Sequence, residues 1–200
     1  MSNPQSEFPN PKFLTLLPIF EELRGERLTV RPYREEDAEG LQGAVAESRE
    51  HIRPWMFFAD EHQTVEESRD WINQQRASVI LRTNINCGLF EIESGRYLGG
   101  LGIMPKDWEI RYFELGYWLR KSAEGHGYMT EAARLVVDYL FGELKAQRIE
   151  ILCDERNTHS ANVARRLGFV QEGLMRNDFR APNGSLRNTL VFSRIPGDPR

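Results

Sequence analysis

The chain has little of what crosslinked or metal-held folds are built from. Two cysteines, Cys87 and Cys153, stand in 200 residues without CxxC spacing, and the four histidines (His51, His62, His126, His159) form neither HxH nor HExxH. Neither a disulfide framework nor a metal site is indicated. No apolar run approaches the roughly 18 residues of a spanning helix. The opening MSNPQSEFPNPK carries no basic region, and the short apolar stretch after it is interrupted by Thr15 and Pro18, so a cytoplasmic protein with no membrane partner is expected. A basic excess is missing too. With 26 basic and 30 acidic side chains the net charge is −4, an average surface that repels a phosphate polymer, so no nucleic-acid partner is expected.

What is present is ordinary globular material, 40% hydrophobic and 28% charged, at a length that fits one domain. Residues 1–24 have no sustained periodicity and read as an N-terminal extension, 25–195 as the domain, and 196–200 as a tail. RLTVRPY alternates as a strand that Pro32 ends, and Asp37 stands where an N-cap belongs, ahead of a helix to about Glu50. Thr64 and Glu67 form a capping box before a second helix carrying Val65, Ile72 and Val79. Three strands follow: CGLFEIES, RYLGGLGIM and IRYFELGYWLR, with turns at Ser94-Gly95 and from Pro105 to Trp108. Ala132, Leu135, Val136, Tyr139 and Leu140 mark an amphipathic helix. RIEILCD then reads as a buried strand, Ser160 to Leu167 as a short helix, and two strands joined at Asn183-Gly184 close the chain. The order β-α-α-β-β-β-α-β-α-β-β predicts an α+β fold with a mixed sheet.

Gly125-His126-Gly127 lies between a strand and the long helix, where free N–H groups and the helix dipole favour an anion. The dinucleotide fingerprint fails, because Thr130 stands at its third glycine, and no GK[ST] follows. A tight strand-to-helix turn accounts for the same glycines without a ligand.

With ELGYWLRKSAEGHGYMTEA, the Asn157-x-x-Ser160 step and RLGFVQEG from Arg166 to Gly173, the chain resembles the GNAT N-acetyltransferases. Within that family it is most similar to the RimJ/RimL-type ribosomal-protein N-terminal acetyltransferases. The resemblance spans about Arg27 to Ile195. It implies a mostly antiparallel GNAT-like sheet with helices on both faces, and acetyl-CoA as co-substrate. It assigns coenzyme contacts to Trp118, Leu119 and Arg120 at the strand end, to Glu124, Gly125, His126, Gly127, Tyr128, Met129 and Thr130 in the loop and helix start, and to Asn157. The family usually places Gln or Arg where this chain has Ser122, which affects a side-chain contact but not a backbone cradle. Arg120, Lys121, His126, Arg165 and Arg166 would add local positive charge.

Transfer to an amine needs a neutral nucleophile, a polarised carbonyl and a proton for the leaving thiolate. Glu114, four residues before Trp118 on one strand face, matches the family's catalytic glutamate; pairing with a neighbouring cation is the alternative. Asp178 is the competing base. Ser160 is the expected acid by resemblance, although Ser is also a preferred N-cap for the helix that follows it. Cys153 is expected in the core rather than as a nucleophile. Trp55, in HIRPWMFF, is the expected acceptor contact. The implied reaction is direct acetyl transfer to a primary amine, most simply a protein or peptide N-terminus. A small-molecule N-acetyltransferase and a non-catalytic acyl-CoA-binding module are the alternatives, and relatives suggest a homodimer.

Overall fold

Strand alternation and helical periodicity translate into twelve elements in a computed structural model that describes residues 17–198. In chain order they are β1 (Leu23–Arg24), β2 (Leu28–Pro32), α1 (Ala38–Ile52), α2 (Val65–Leu81), β3 (Ile85–Glu91), β4 (Tyr97–Asp107), β5 (Tyr112–Leu119), α3 (Tyr128–Gly142), β6 (Arg148–Asp154), α4 (Thr158–Arg166), β7 (Val170–Arg180) and β8 (Leu186–Arg194). The expected order holds, with the two-residue β1 added in front of it. Residues 1–16, most of the expected extension, lie outside the described residues; Ile19 and Phe20 already pack on the core.

The strands form one sheet in the order β1-β2-β3-β4-β5-β6-β8-β7. Tyr97 and its neighbour Leu98 belong to different apolar clusters because successive strand side chains point to opposite faces. On one face α1 and α2 bury Leu41, Ala44, Val45 and Ile72 against Tyr33 and Tyr97. On the other, α3 and α4 bury Ala132, Val136, Leu140 and Ala161 against Leu28, Val30, Leu101 and Phe113. Truncating a fully buried aliphatic such as Leu140 to alanine costs about 2–5 kcal/mol.

Neighbouring strands run antiparallel except β5 and β6, which α3 connects as a crossover unit. That parallel pair lasts only from Tyr112–Glu114 against Arg148–Glu150. Beyond Glu114 the two strands part, while β5 stays paired to β4 as far as Leu119. The β6-facing edge of β5 from Leu115 onward therefore carries no ladder. The gap is where a site can form.

Three local expectations are corrected. Asp37 makes no side-chain cap to α1; a 3₁₀ turn over Glu35–Asp37 precedes the helix, and the Asp37 carboxylate instead accepts from the Arg34 N–H at 2.7 Å and from both Arg31 Nη atoms at 2.8 Å. The turn expected at Pro105 begins later, since β4 runs through Pro105 to Asp107. Proline is tolerated there because pairing with β3 has ended at Ile103 and a bulge interrupts the β5 register. Ser160 does not cap α4. Asn157 does, its Oδ1 accepting from the Ser160 N–H at 3.1 Å, which leaves the serine hydroxyl free for another partner. The Thr64 cap is as expected, with Glu67 N–H donating to its hydroxyl at 3.1 Å, but the capping box is not closed, because the Glu67 carboxylate accepts from the Gln63 N–H at 2.7 Å instead of from that of Thr64.

Candidate active site

A cleft of about 970 Å³ opens beside the unladdered end of β5, lined by α3 and α4. Its wall on the β5 side is Tyr117, Trp118 and Leu119; its floor at one end is Gly125, Gly127, Met129 and Thr130, and at the other Asn157 and Ser160. Trp55 and Met56, after α1, close the third side.

The glycine-loop end follows from backbone conformation. Gly125 and Gly127 have φ of 78° and 80°, a region that costs an L-residue about 1–2 kcal/mol. Space is not the constraint, since a Cβ at Gly125 would meet nothing within 4 Å and one at Gly127 only Arg27, at 3.6 Å. Gly127 is the N-cap of α3 and offers no side-chain cap. The first N–H groups of α3, the positive end of its dipole, are thus open to an anion from the cleft.

The segment before the glycines is pinned to α1. Glu47 accepts from Arg120 Nε at 3.0 Å and from the Ser122 N–H at 2.9 Å, and Ser48 Oγ accepts from the Lys121 N–H at 2.9 Å. The Arg120 guanidinium holds the Glu47 carboxyl down at about 2, against the opposing effect of burial. Glu124 bridges His51 Nε2 at 2.5 Å and Lys121 Nζ at 2.8 Å. Burial pushes the Glu124 carboxyl up, but Lys121 and His51 outweigh it and the net shift is downward.

At the other end, the Ser160 hydroxyl lies 3.3 Å from the Tyr117 hydroxyl, which donates to the Ser160 carbonyl at 3.1 Å. Burial pushes the Tyr117 phenol well above its ordinary range, so it keeps its proton. Cys153 sits in the core at 5% exposure, its thiol also pushed up by burial.

Of the residues singled out in the sequence, the fold brings Trp55, Trp118, Leu119, Glu124, Gly125, Gly127, Met129, Thr130, Asn157 and Ser160 to one cleft. Arg120 instead turns to Glu47 and to the Tyr97 carbonyl, 3.0 Å away. The His126 ring lies against Tyr128, whose hydroxyl donates to Glu91 Oε1 at 2.6 Å. Glu114 is not in the cleft wall; it accepts from Lys106 Nζ across the sheet at 2.9 Å, the cation pairing weighed as its alternative. Asp178 lies on the exposed ribbon of β7, outside the cleft wall. Arg166 reaches the cleft, whereas Arg165 bonds Asn162 and Gln171. Sequence reasoning missed Arg27, His51, Tyr117 and Glu131 as parts of the wall. Only Tyr117 had a local signal, its place beside Trp118 on an already marked strand.

A split sheet with an anion-accepting loop at one end and a hydroxyl pair at the other is the arrangement of an acyltransferase that takes a long phosphorylated donor. The model of the GNAT acetyltransferase domain matches residues 27–170. The chain is 34% identical to the probable N-acetyltransferase YjcK of Bacillus subtilis, over 88% of this chain and 98% of that one. Among solved structures, it superposes with a TM-score of 0.81 on RimL, a ribosomal L7/L12 α-N-protein acetyltransferase in complex with coenzyme A, at 21% identity over 88% of this chain and 98% of that one. It superposes on the microcin C7 self-immunity acetyltransferase MccE, in complex with acetyl-CoA and AMP, with a TM-score of 0.79, at 19% identity over 86% and 93%. The chain belongs to the GNAT family, and the protein is an acetyltransferase. Among the described residues no helix is long and apolar enough to cross a membrane, and no cluster of His, Cys, Asp and Glu is built to hold a metal.

Proposed function

We propose that the protein transfers the acetyl group of acetyl-CoA to the α-amino group of a protein or peptide N-terminus, by direct transfer in a ternary complex. The observation that carries this reading is the single cleft joining the open N-terminus of α3 to the Ser160–Tyr117 hydroxyl pair along an unladdered edge of β5. The loop and first-turn N–H groups from Gly125 to Thr130 hold the donor's diphosphate, and Glu124, whose N–H bonds the Lys121 carbonyl, borders it, with Arg166 as a cation lining the same cleft. The free main-chain edge at Trp118 and Leu119 takes the pantetheine amides and polarises the thioester carbonyl, and Asn157 borders the same arm.

The amine nitrogen attacks the carbonyl carbon, the C–N bond forms, and the C–S bond breaks. The departing thiolate takes a proton from the Ser160 hydroxyl, which the Tyr117 oxygen orients by accepting from it and which solvent reprotonates. The amine loses its own proton to solvent or to a carboxylate. Glu114 can serve only if it releases Lys106, and Asp178 only if the β7 ribbon folds inward. An α-amine with a pKa near 7.7–8.0 needs little help at neutral pH, since roughly one molecule in ten is already neutral, whereas a lysine side chain is neutral in fewer than about one in a thousand. The weak provision of a base therefore favours an N-terminal acceptor. Trp55 offers the acceptor an aromatic wall.

Thermal melts with acetyl-CoA, followed by thiol release with Ser- and Ala-initiated peptides, spermidine and an aminoacyl nucleotide, test the proposal. Saturating acetyl-CoA at about 100 times its Kd should stabilise the fold by about 2.7 kcal/mol, with the fastest release on a peptide. Absence of stabilisation overturns the donor assignment. Faster release on spermidine or the nucleotide makes the protein a small-molecule acetyltransferase, and binding without release makes it a coenzyme-binding module.

A further inference from the structure

Glu131 is an awkward residue for a site that binds phosphates. It stands in the first turn of α3 and lines the cleft with Gly125 and Gly127. A bare carboxylate there competes with an incoming anion for the helix's positive end. The peptide joining His126 to Gly127 raises a second difficulty. Its carbonyl oxygen must point away from the cradle for the neighbouring N–H groups to serve an anion.

One side chain answers both. Arg27, immediately before β2, donates from Nε and Nη2 to Glu131 Oε2, each at 2.8 Å, while its own backbone N–H donates to Oε1 at 2.9 Å. Its remaining arm, Nη1, donates to the His126 carbonyl at 2.8 Å. The guanidinium lies 4.9 Å from the centre of the Tyr128 ring, and Tyr128 is held in turn by Glu91. A Cβ at Gly25 would come within 2.6 Å of Glu131 Oε1, so a glycine there lets the chain close on the carboxylate. Burial raises the Glu131 carboxyl, but the bonds from Arg27 more than offset it and the group is held below its ordinary range.

We propose that Arg27 is a positioning residue for the coenzyme's diphosphate: it cancels the Glu131 carboxylate and fixes the His126 carbonyl, leaving the loop N–H groups and the α3 N-terminus to the anion. The inference rests on the acetyl-CoA reading above. Arg27 acts through Glu131 and His126 rather than by touching phosphate, and that distinction is testable because removing the carboxylate should restore most of the binding lost with the arginine, leaving only the share owed to the His126 carbonyl.

The experiment is calorimetric titration of coenzyme A into wild type, Arg27→Ala, Glu131→Gln and the double variant, with a melt of each to verify folding. Arg27→Ala should weaken binding roughly tenfold, Glu131→Gln should bind at least as tightly as wild type, and the double variant should recover to within about threefold of wild type. A merely structural role for Arg27 would not be rescued by deleting its ion-pair partner. Unweakened binding in Arg27→Ala overturns the inference. So does weakened binding that Glu131→Gln fails to recover, which would place Arg27 on the phosphate itself or in folding alone. Wild-type protein that does not bind coenzyme A overturns the donor assignment, a result distinct from either.

Discussion

At the glycine-loop end of the cleft, Glu47, Glu124 and Glu131 each tie the loop to a distant element through a cation, a histidine or a backbone N–H. Away from the loop the fixed features are few: the Ser160–Tyr117 contact and a half-buried Trp55 in the cleft wall and, outside that wall, the outer strand β7, exposed along nearly its whole length. Val170, Leu174, Met175 and Phe179 on that strand are 39–51% exposed. Phe57, with its ring centroid 5.8 Å from that of Phe179, bridges from the segment after α1. On the reading proposed above, the donor end is pre-organised by partly buried charges, while the exposed β7 ribbon is left adaptable. An enzyme family with one donor and many acceptors needs that division, because charge networks fix geometry and exposed apolar strands can be resurfaced without unfolding the core.

The largest effect that can break this comparison lies in the hydroxyl pair. Replacing Tyr117 by Phe and Ser160 by Ala together should lower kcat about 100-fold while KM for acetyl-CoA moves far less, as read by steady-state thiol release. An equal rise in KM would make the pair part of donor binding and erase the difference between the ends. Next comes Gly127→Ala. Its left-handed φ should cost about 1–2 kcal/mol, a drop of roughly 2–8 °C in Tm for a chain of this size, with weaker coenzyme binding in the same sample. An unchanged Tm would mean that the loop relaxes into another conformation. Trp55→Ala should be milder, raising KM for the acceptor several-fold and leaving that for acetyl-CoA within about twofold, because the side chain borders the cleft without a hydrogen bond among the described residues.

Local chemistry made the donor end partly legible in the sequence. The GHG turn ahead of an amphipathic helix marks a strand-to-helix turn whose free N–H groups suit an anion, and the alternation of FELGYWL marks the strand beside it. What stayed hidden depends on pairings far apart along the chain. Arg27 meets Glu131 across 104 residues, and His51 meets Glu124 across 73; neither pair has a spacing that periodicity can detect. The Ser160 cap was misplaced by one turn because Asn157 and Ser160 are both good caps, and only the helix start decides between them. Glu114 shares its strand face with Trp118, yet the β4–β5 register that sets Met104 opposite it and Lys106 within reach, diagonally across the pair, is a property of the sheet. The short β5–β6 ladder, which creates the cleft, has no local signature at all.

The smallest predicted effect compares two carboxylates held by arginines, one on α1 and one on β7. Arg120 keeps Glu47 at about 2 beside the loop, and Arg148, with help from Ser193, keeps Glu172 at about 2 on the β7 ribbon. In both cases the folded value lies below the ordinary carboxylate value of 4.5. The stabilisation is therefore complete above about pH 4.5 and disappears as the pH falls toward 2. Because both pairs are partly solvated, Glu47→Gln should cost about 1 kcal/mol at pH 7 and Glu172→Gln about 0.5 kcal/mol, with both deficits shrinking in melts at pH 3. Coenzyme titration at pH 7 separates them. Glu47→Gln keeps an oxygen for the Ser122 N–H but loses the carboxylate that holds Arg120, so the loop loosens and coenzyme A should bind about threefold more weakly, whereas Glu172→Gln should leave its binding unchanged. Equal weakening in the two variants would show that the coenzyme senses overall stability rather than the loop's own anchors, and the contrast between the two ends would fail.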